Sequence, residues 1–119
     1  MITIGVDAHK GVHVALAVDE AGQELGQWQG VNSAAGWQAI SEWAASLGGP
    51  RRWGIEGAWG YGRNLAQHLV GAGETVYEVN RRLRTLRWVR PERCVHSRCR
   101  EPKSTQPTGG VSPGGDRYC

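Results

Sequence analysis

Near the amino terminus, apolar and polar positions alternate with a period of two. Ile2, Ile4 and Val6 stand against Thr3, Gly5 and Asp7, and Val12, Val14, Leu16 and Val18 stand against His13, Ala15, Ala17 and Asp19. Alternation of this kind marks strands with two unlike faces. The short "HKG" between the two runs predicts a hairpin turn. The turn-rich "DEAG" then predicts a third strand over Glu24–Val31, with Leu25 and Trp28 packing against the first pair. Three antiparallel strands therefore open the chain.

The period then changes. In "VNSAAGWQAISEWAASLGG" the apolar positions Trp37, Ile40, Ala44 and Leu47 recur at helical spacing. Asn32 or Ser33 is placed to cap the start, and Gly48 to end it. "RRWGIEG" reads as a short strand finishing at Glu56. Tyr61, Leu65, His68, Leu69 and Ala72 mark a second helix stopped by Gly73, and "ETVYEVN" supplies a fifth strand. A helical crossover makes the last two strands parallel. Three meander strands followed by helix, strand, helix, strand is the order of elements in ribonuclease H-like folds, an α/β class with a mixed sheet.

Charge divides the chain where this periodicity stops. Its 119 residues allow one domain. Residues 1–80 carry four Lys/Arg against eight Asp/Glu, a net of −4, whereas residues 81–119 carry ten against three, a net of +7. The second stretch also holds four of the five prolines and little that could build a core. We therefore expect a folded domain over 1–80 and a basic Pro/Gly/Arg-rich tail over 81–119, helical at most at its start and coil afterwards. Cys94, His96 and Cys99 lack the regular spacing and the fourth partner of a zinc quartet. No apolar run approaches the ~20 residues of a membrane span, and no signal peptide precedes Ile4, so a cytoplasmic protein is expected.

Two carboxylates carry the candidate chemistry. Asp7 and Glu56 each follow a strand-like apolar residue and are followed at once by small or turn-forming residues, which places both at carboxyl ends of strands. Ligands collect beyond those ends in open α/β sheets. Adjacent parallel strands would bring the two side chains within reach of one metal ion. Phosphodiester cleavage needs charge neutralisation at the attacking and the leaving oxygen, which two magnesium ions about 3.5–4 Å apart can supply, and such hard ions want carboxylate oxygens. A full two-metal site needs more acids than these two. Taken singly, an acid at a strand end is equally well a solvated turn residue or a helix cap. The glycines of "GAWGYG" expose backbone amides that attract anions, although no Walker loop follows. Tyr61 reads otherwise as a core aromatic, and Arg63 as a solvated first-turn side chain. His9 and His13 flank the first turn, near enough to approach a metal or phosphate at Asp7, and His68 falls on an apolar helical face.

These residues carry a family likeness. "IGVDAHKGVHVALAVDEAGQELG" followed by "IEGAWGYGRNLAQHLVGAGETVYEVN" resembles the amino-terminal domain of insertion-sequence-110 family transposases, whose catalytic domain is RuvC-like and of the DEDD type. The likeness spans about residues 1–82. It implies that Asp7 and Glu56 are the first and second acids of a metal-binding quartet, and that Tyr61 and Gly62 belong to the family's "GGYG"-like segment, here "AWGYG". By the same likeness, magnesium is the cofactor, DNA and a guide RNA made by the element are the partners, and Lys10, Tyr61 and Arg63 face nucleic acid, with a homo-oligomer as the possible assembly. The implied activity is DNA strand cleavage and exchange during transposition. A carboxy-terminal domain with a serine nucleophile normally completes the enzyme.

The chain departs from that pattern after the basic segment. The family's stretch resembling Lys-Thr-Asp-Ala-Thr-Asp-Ala, which gives the last two acids, does not appear, and Asp116 is the sole aspartate after Asn80. "STQPT" can be encoded so that codons started one base earlier read Val-Asp-Ala-Thr-Asp. We therefore expect a frameshift between about Arg82 and Lys103, a truncated transposase, and no catalysis by this chain alone. Two other classes share parts of the pattern. "IGVD" before a hairpin also resembles the phosphate-binding entry of sugar kinases and actin-like ATPases, although these place Thr or Ser where the chain has "AHK" and need a second lobe. A basic tail would also suit a non-catalytic nucleic-acid-binding protein.

Overall fold

The computed structural model describes residues 1–80 and 85–91. Its strands and helices are β1 (Ile2–Ala8), β2 (Val12–Val18), β3 (Glu24–Val31), α1 (Ala34–Ser46), β4 (Arg51–Glu56), α2 (Arg63–Gly71), β5 (Val76–Asn80) and β6 (Thr85–Trp88). All six strands form one sheet in the order β3-β2-β1-β4-β5-β6. β1 is antiparallel to β2 and β2 to β3, while β1, β4 and β5 run parallel. This is the mixed α/β sheet of the ribonuclease H-like class, with the predicted meander on one side and the crossovers on the other.

Both helices cover the same face of the sheet. Ile4 and Val6 of β1, Ala15 and Ala17 of β2, Trp53 and Ile55 of β4 and Val76 of β5 meet Ile40 and Ala44 of α1 and Leu65, Ala66 and Leu69 of α2 in one buried cluster. The strand residues of this set are alternate positions, as two-fold periodicity requires. Ser33 caps α1, its side chain accepting from the Gly36 N–H at 3.3 Å, so of the two candidate caps the serine is used. Trp28 packs against the core, whereas Leu25, three positions away and so on the opposite face of the strand, is exposed; β3 also bulges in its pairing to β2 between Ala17 and Val18.

One secondary-structure expectation fails. Thr85–Trp88 was expected to be helical or coil and is instead a strand, antiparallel to β5, with Leu86 opposite Val79 and Trp88 opposite Tyr77. Leu86 and Trp88 are half-buried and Thr85 and Arg87 exposed, so the alternation is real. At four residues among arginines it is too short for periodicity to separate from noise. Residues 81–84 and 92–119, with the rest of the tail, the cysteines and the expected frameshift, lie outside the described residues.

His13 sits on the helix-covered face and is 1% exposed. Neither ring nitrogen is hydrogen-bonded to a described residue. Burial pushes its pKa down from 6.5, and the nearby Asn32 side chain and Val12 backbone oppose this only in part. Above pH 6.5 the imidazole is neutral in both states. As pH falls below that value the unfolded chain takes up a proton that the native state refuses, so stability should decline until the lowered native pKa is reached. Urea titrations between these limits should show the decline in the native chain and a flatter profile in His13→Leu.

Candidate functional site

β1 and β4 pair in parallel with Asp7 directly opposite Glu56, and with Gly5 opposite Gly54 two residues earlier. Register partners on neighbouring strands project to the same face, about 4.7–4.9 Å apart at the backbone. The two carboxylates therefore stand side by side at the carboxyl ends of their strands, on the face opposite the helices. The glycines leave a trough behind them: Gly5, Asp7, Gly54 and Glu56 line a cavity of 310 Å³ together with Val14, Leu16 and Val79. Val14 and Leu16 are 37% and 41% exposed, and no described helix covers this face.

Asp7 is 53% exposed on its side chain, with His9 Nε2 3.2 Å from its Oδ2. His9 thus reaches the acid, as its position in the turn suggested. His13 does not. In the β1–β2 register Asp7 faces Val14 while Ala8 faces His13, which sends the imidazole to the opposite side of the sheet. His68 lies against Trp37, with ring centroids 6.3 Å apart, and belongs to the packing between the helices.

The segment after Glu56 turns back sharply onto the strand ends. Gly57 adopts φ +77°, a conformation that strains other residues, and its carbonyl accepts from the N–H groups of Gly60 and Gly62 at 2.9 and 2.8 Å. A Cβ on Gly62 would lie 2.7 Å from Ile55 Cγ2 and 3.1 Å from Ala8 Cβ, so the glycine lets the loop press against β4 and β1 together. α2 starts immediately afterwards at Arg63. Tyr61 therefore precedes the helix it was expected to join and is 58% exposed rather than a core aromatic. Lys10 and Arg63 are also exposed, so all three residues proposed to face nucleic acid lie open in loops or a helix start at the carboxylate end.

Asn32 fastens this end together. Its side-chain amide donates to the Lys10 carbonyl at 3.1 Å and the Tyr61 carbonyl at 3.3 Å, and its Oδ1 accepts from the Trp37 indole at 3.0 Å. Its backbone N–H donates to the Gly11 carbonyl at 3.1 Å. The turn after Asp7 and the loop after Glu56 are thus tied to one residue. Sequence reasoning treated Asn32 only as a possible helix cap. An Asn before a Ser cap, at the end of a strand pointing toward two loops, gives no local signal of its long-range partners. Asn32→Ala should cost roughly 1–3 kcal/mol. In hydrogen exchange it should expose the Gly60 and Gly62 amides while leaving the β1–β4 amides protected.

Among the described residues no group of three or more His, Cys, Asp and Glu forms a metal cage. The donor set fits a hard divalent ion through two carboxylates, with water completing its shell. It does not by itself fit a pair of ions.

A mixed sheet of this order, with Asp7 and Glu56 paired at the ends of its first and fourth strands, places the chain in the ribonuclease H-like α/β class. The match is more specific than that. Residues 4–90 match the transposase family of the insertion-sequence-110 DEDD type, and the chain belongs to that family. No curated protein matches it. The matched span continues past Asn80 through β6, in keeping with the place of that strand in the sheet. No described helix is long and apolar enough to cross a membrane.

Proposed function

We propose that this chain is a DNA-binding transposase domain that supplies half of a metal-dependent cleavage centre. Asp7 and Glu56 serve as two of its four acids and together hold one Mg²⁺. The observation that carries this reading is the direct pairing of Asp7 with Glu56 in the sheet of a chain matched to transposases. In a complete centre the ions would neutralise charge on the attacking and leaving oxygens of the scissile phosphodiester. With only two acids this chain binds the ion weakly and does not cleave alone. The family's stretch that gives the last two acids does not appear after Asn80, and the genomic DNA beyond the Arg82 codon would show whether it continues in a shifted frame. Homo-oligomerisation and a guide RNA belong to the assembled family enzyme and are proposed here on that footing, as is a cytoplasmic location.

The DNA surface is the carboxylate end. Lys10, in the turn after β1, and Arg63, at the start of α2 after the Glu56 loop, provide exposed cations, the start of α2 adds partial positive charge, and Tyr61 offers an open ring. Anisotropy titrations with labelled duplex DNA should show binding that weakens steeply with salt. Lys10→Glu and Arg63→Glu should each weaken it further. Supercoiled plasmid should remain uncut in Mg²⁺. Absence of binding at low salt, or nicking that survives Asp7→Asn with Glu56→Gln, would overturn the proposal.

A further inference from the structure

A second cavity, of 560 Å³, lies between α2, the loop after Glu56 and the segment after β6. One wall is a stripe of that helix, Arg63, Ala66, Gln67, Val70 and Gly71, about 12 Å long at 1.5 Å per residue. Val89, Arg90 and Pro91 line it as well, beyond β6, and Ala58 and Trp59 line it from the loop that follows Glu56. The volume falls within the roughly 300–1,000 Å³ of small-molecule sites. Its floor is apolar, two arginines line it, and no acidic residue does.

Trp59 is the unusual member. Tryptophan is rarely left in water, yet this indole is 57% exposed while Ala58 beside it is 2% exposed. The loop is therefore anchored by the alanine and presents the tryptophan. Only two residues separate Trp59 from Glu56, a chain reach of at most about 11 Å.

Charge selects the occupant. A trough carrying the Arg63 guanidinium and lined by no acid favours an anionic ligand. The chain's own residues 92–119 carry five Lys/Arg against three Asp/Glu, a net of +2, and a second copy of the chain is +3 overall. Neither complements it. A flat π-face for an exposed indole, an apolar body for the trough and a negative charge for Arg63 are together the chemistry of a nucleotide.

We propose that the Trp59–Arg63 trough holds an unpaired base of a DNA strand, stacked on the indole, with the adjoining phosphate on the Arg63 guanidinium. This rests on the DNA-binding reading above and adds a function to it. The site takes a base that has left the duplex, and so favours opened or single-stranded DNA.

The test uses the full chain with a short single-stranded DNA containing 2-aminopurine, and the matching duplex. The native chain should quench the 2-aminopurine of the single strand on binding. Trp59→Ala should weaken single-strand affinity roughly five- to 150-fold, the range for loss of one base–aromatic stack of about 1–3 kcal/mol, and abolish the quenching. Trp59→Tyr, which keeps a ring, should restore most of both. Arg63→Glu, compatible with a helix start, should weaken single-strand binding and flatten its salt dependence. Duplex affinity should change little in Trp59→Ala. Single-strand affinity and quenching that are unchanged in Trp59→Ala, or equal losses on duplex and single strand, would overturn the stacking site while leaving DNA binding intact. Failure of the native chain to bind either DNA would overturn the DNA reading as well.

Discussion

Replacing Asp7 with asparagine should weaken Mn²⁺ binding, followed by electron paramagnetic resonance of the free ion, by roughly thirtyfold. One carboxylate charge about 4 Å from a divalent ion is worth about 2 kcal/mol even in a water-like dielectric, and Asp7 is half exposed. Glu56→Gln should give a loss of the same order. Because the two acids are register partners, the double substitution should cost less than the sum of the single ones. After the first loss the ion is no longer held close enough to sense the second. Glu42→Gln, on the exposed side of α1, should leave affinity unchanged. The fold should tolerate Asp7→Asn, since the acid gives up only its contact with His9 and a neighbouring like charge is relieved. Weaker metal binding without weaker folding is the signature of a side chain kept for chemistry.

The largest effect on stability is expected at Trp53. It is the bulkiest fully buried side chain, 1% exposed in the middle of β4. Its indole N–H donates to Glu74 Oε1 at 2.8 Å. The same carboxylate accepts from Arg51 Nε at 3.0 Å and Nη2 at 2.7 Å. Trp53→Ala should cost about 3–5 kcal/mol through lost burial and the cavity left behind, a large part of the roughly 5–15 kcal/mol that holds a domain of this kind together. Trp53→Phe keeps most of the apolar contact and should cost clearly less. Glu74→Gln should fall below Trp53→Ala, because Arg51 and Glu74 retain 20% and 17% side-chain exposure and water softens the loss of the pair. Denaturant titrations of the three variants give the order directly.

The parts of this fold that could be read from the chain are those in which a repeating pattern reports a buried face. The alternation through Ile4 and Val6 in β1 and through Val14 and Leu16 in β2, and the spacing of Ile40 with Ala44 and of Leu65 with Leu69, gave these elements their type, although the face of β2 that packs on the helices is that of Ala15 and Ala17 and not that of the larger residues. The relation of Asp7 to Glu56 was also legible, because two acids at carboxyl ends of strands that a ribonuclease H-like order makes neighbours must lie close. What could not be read was set by contacts between distant positions. Nothing local links Asn32 to Lys10 and Tyr61, or Glu74 to Arg51 and Trp53. β6 escaped because a four-residue strand at a sheet edge carries one turn of alternation and no more. Trp59 was hidden for a further reason: an aromatic residue before a helix looks like core in a sequence, and only the Gly57–Gly62 loop geometry leaves it exposed.

The pairing of Asp7 with Glu56 as one cation site is tested most directly by a Mg²⁺ titration followed through backbone amide resonances. The amides of Asp7, Ala8, Glu56 and Gly57 should shift together along a single saturation curve, and Asp7→Asn should weaken the response at Glu56 and Gly57 as strongly as its own. Independent curves at the two strand ends, or a Glu56 response unaltered by Asp7→Asn, would contradict a shared site.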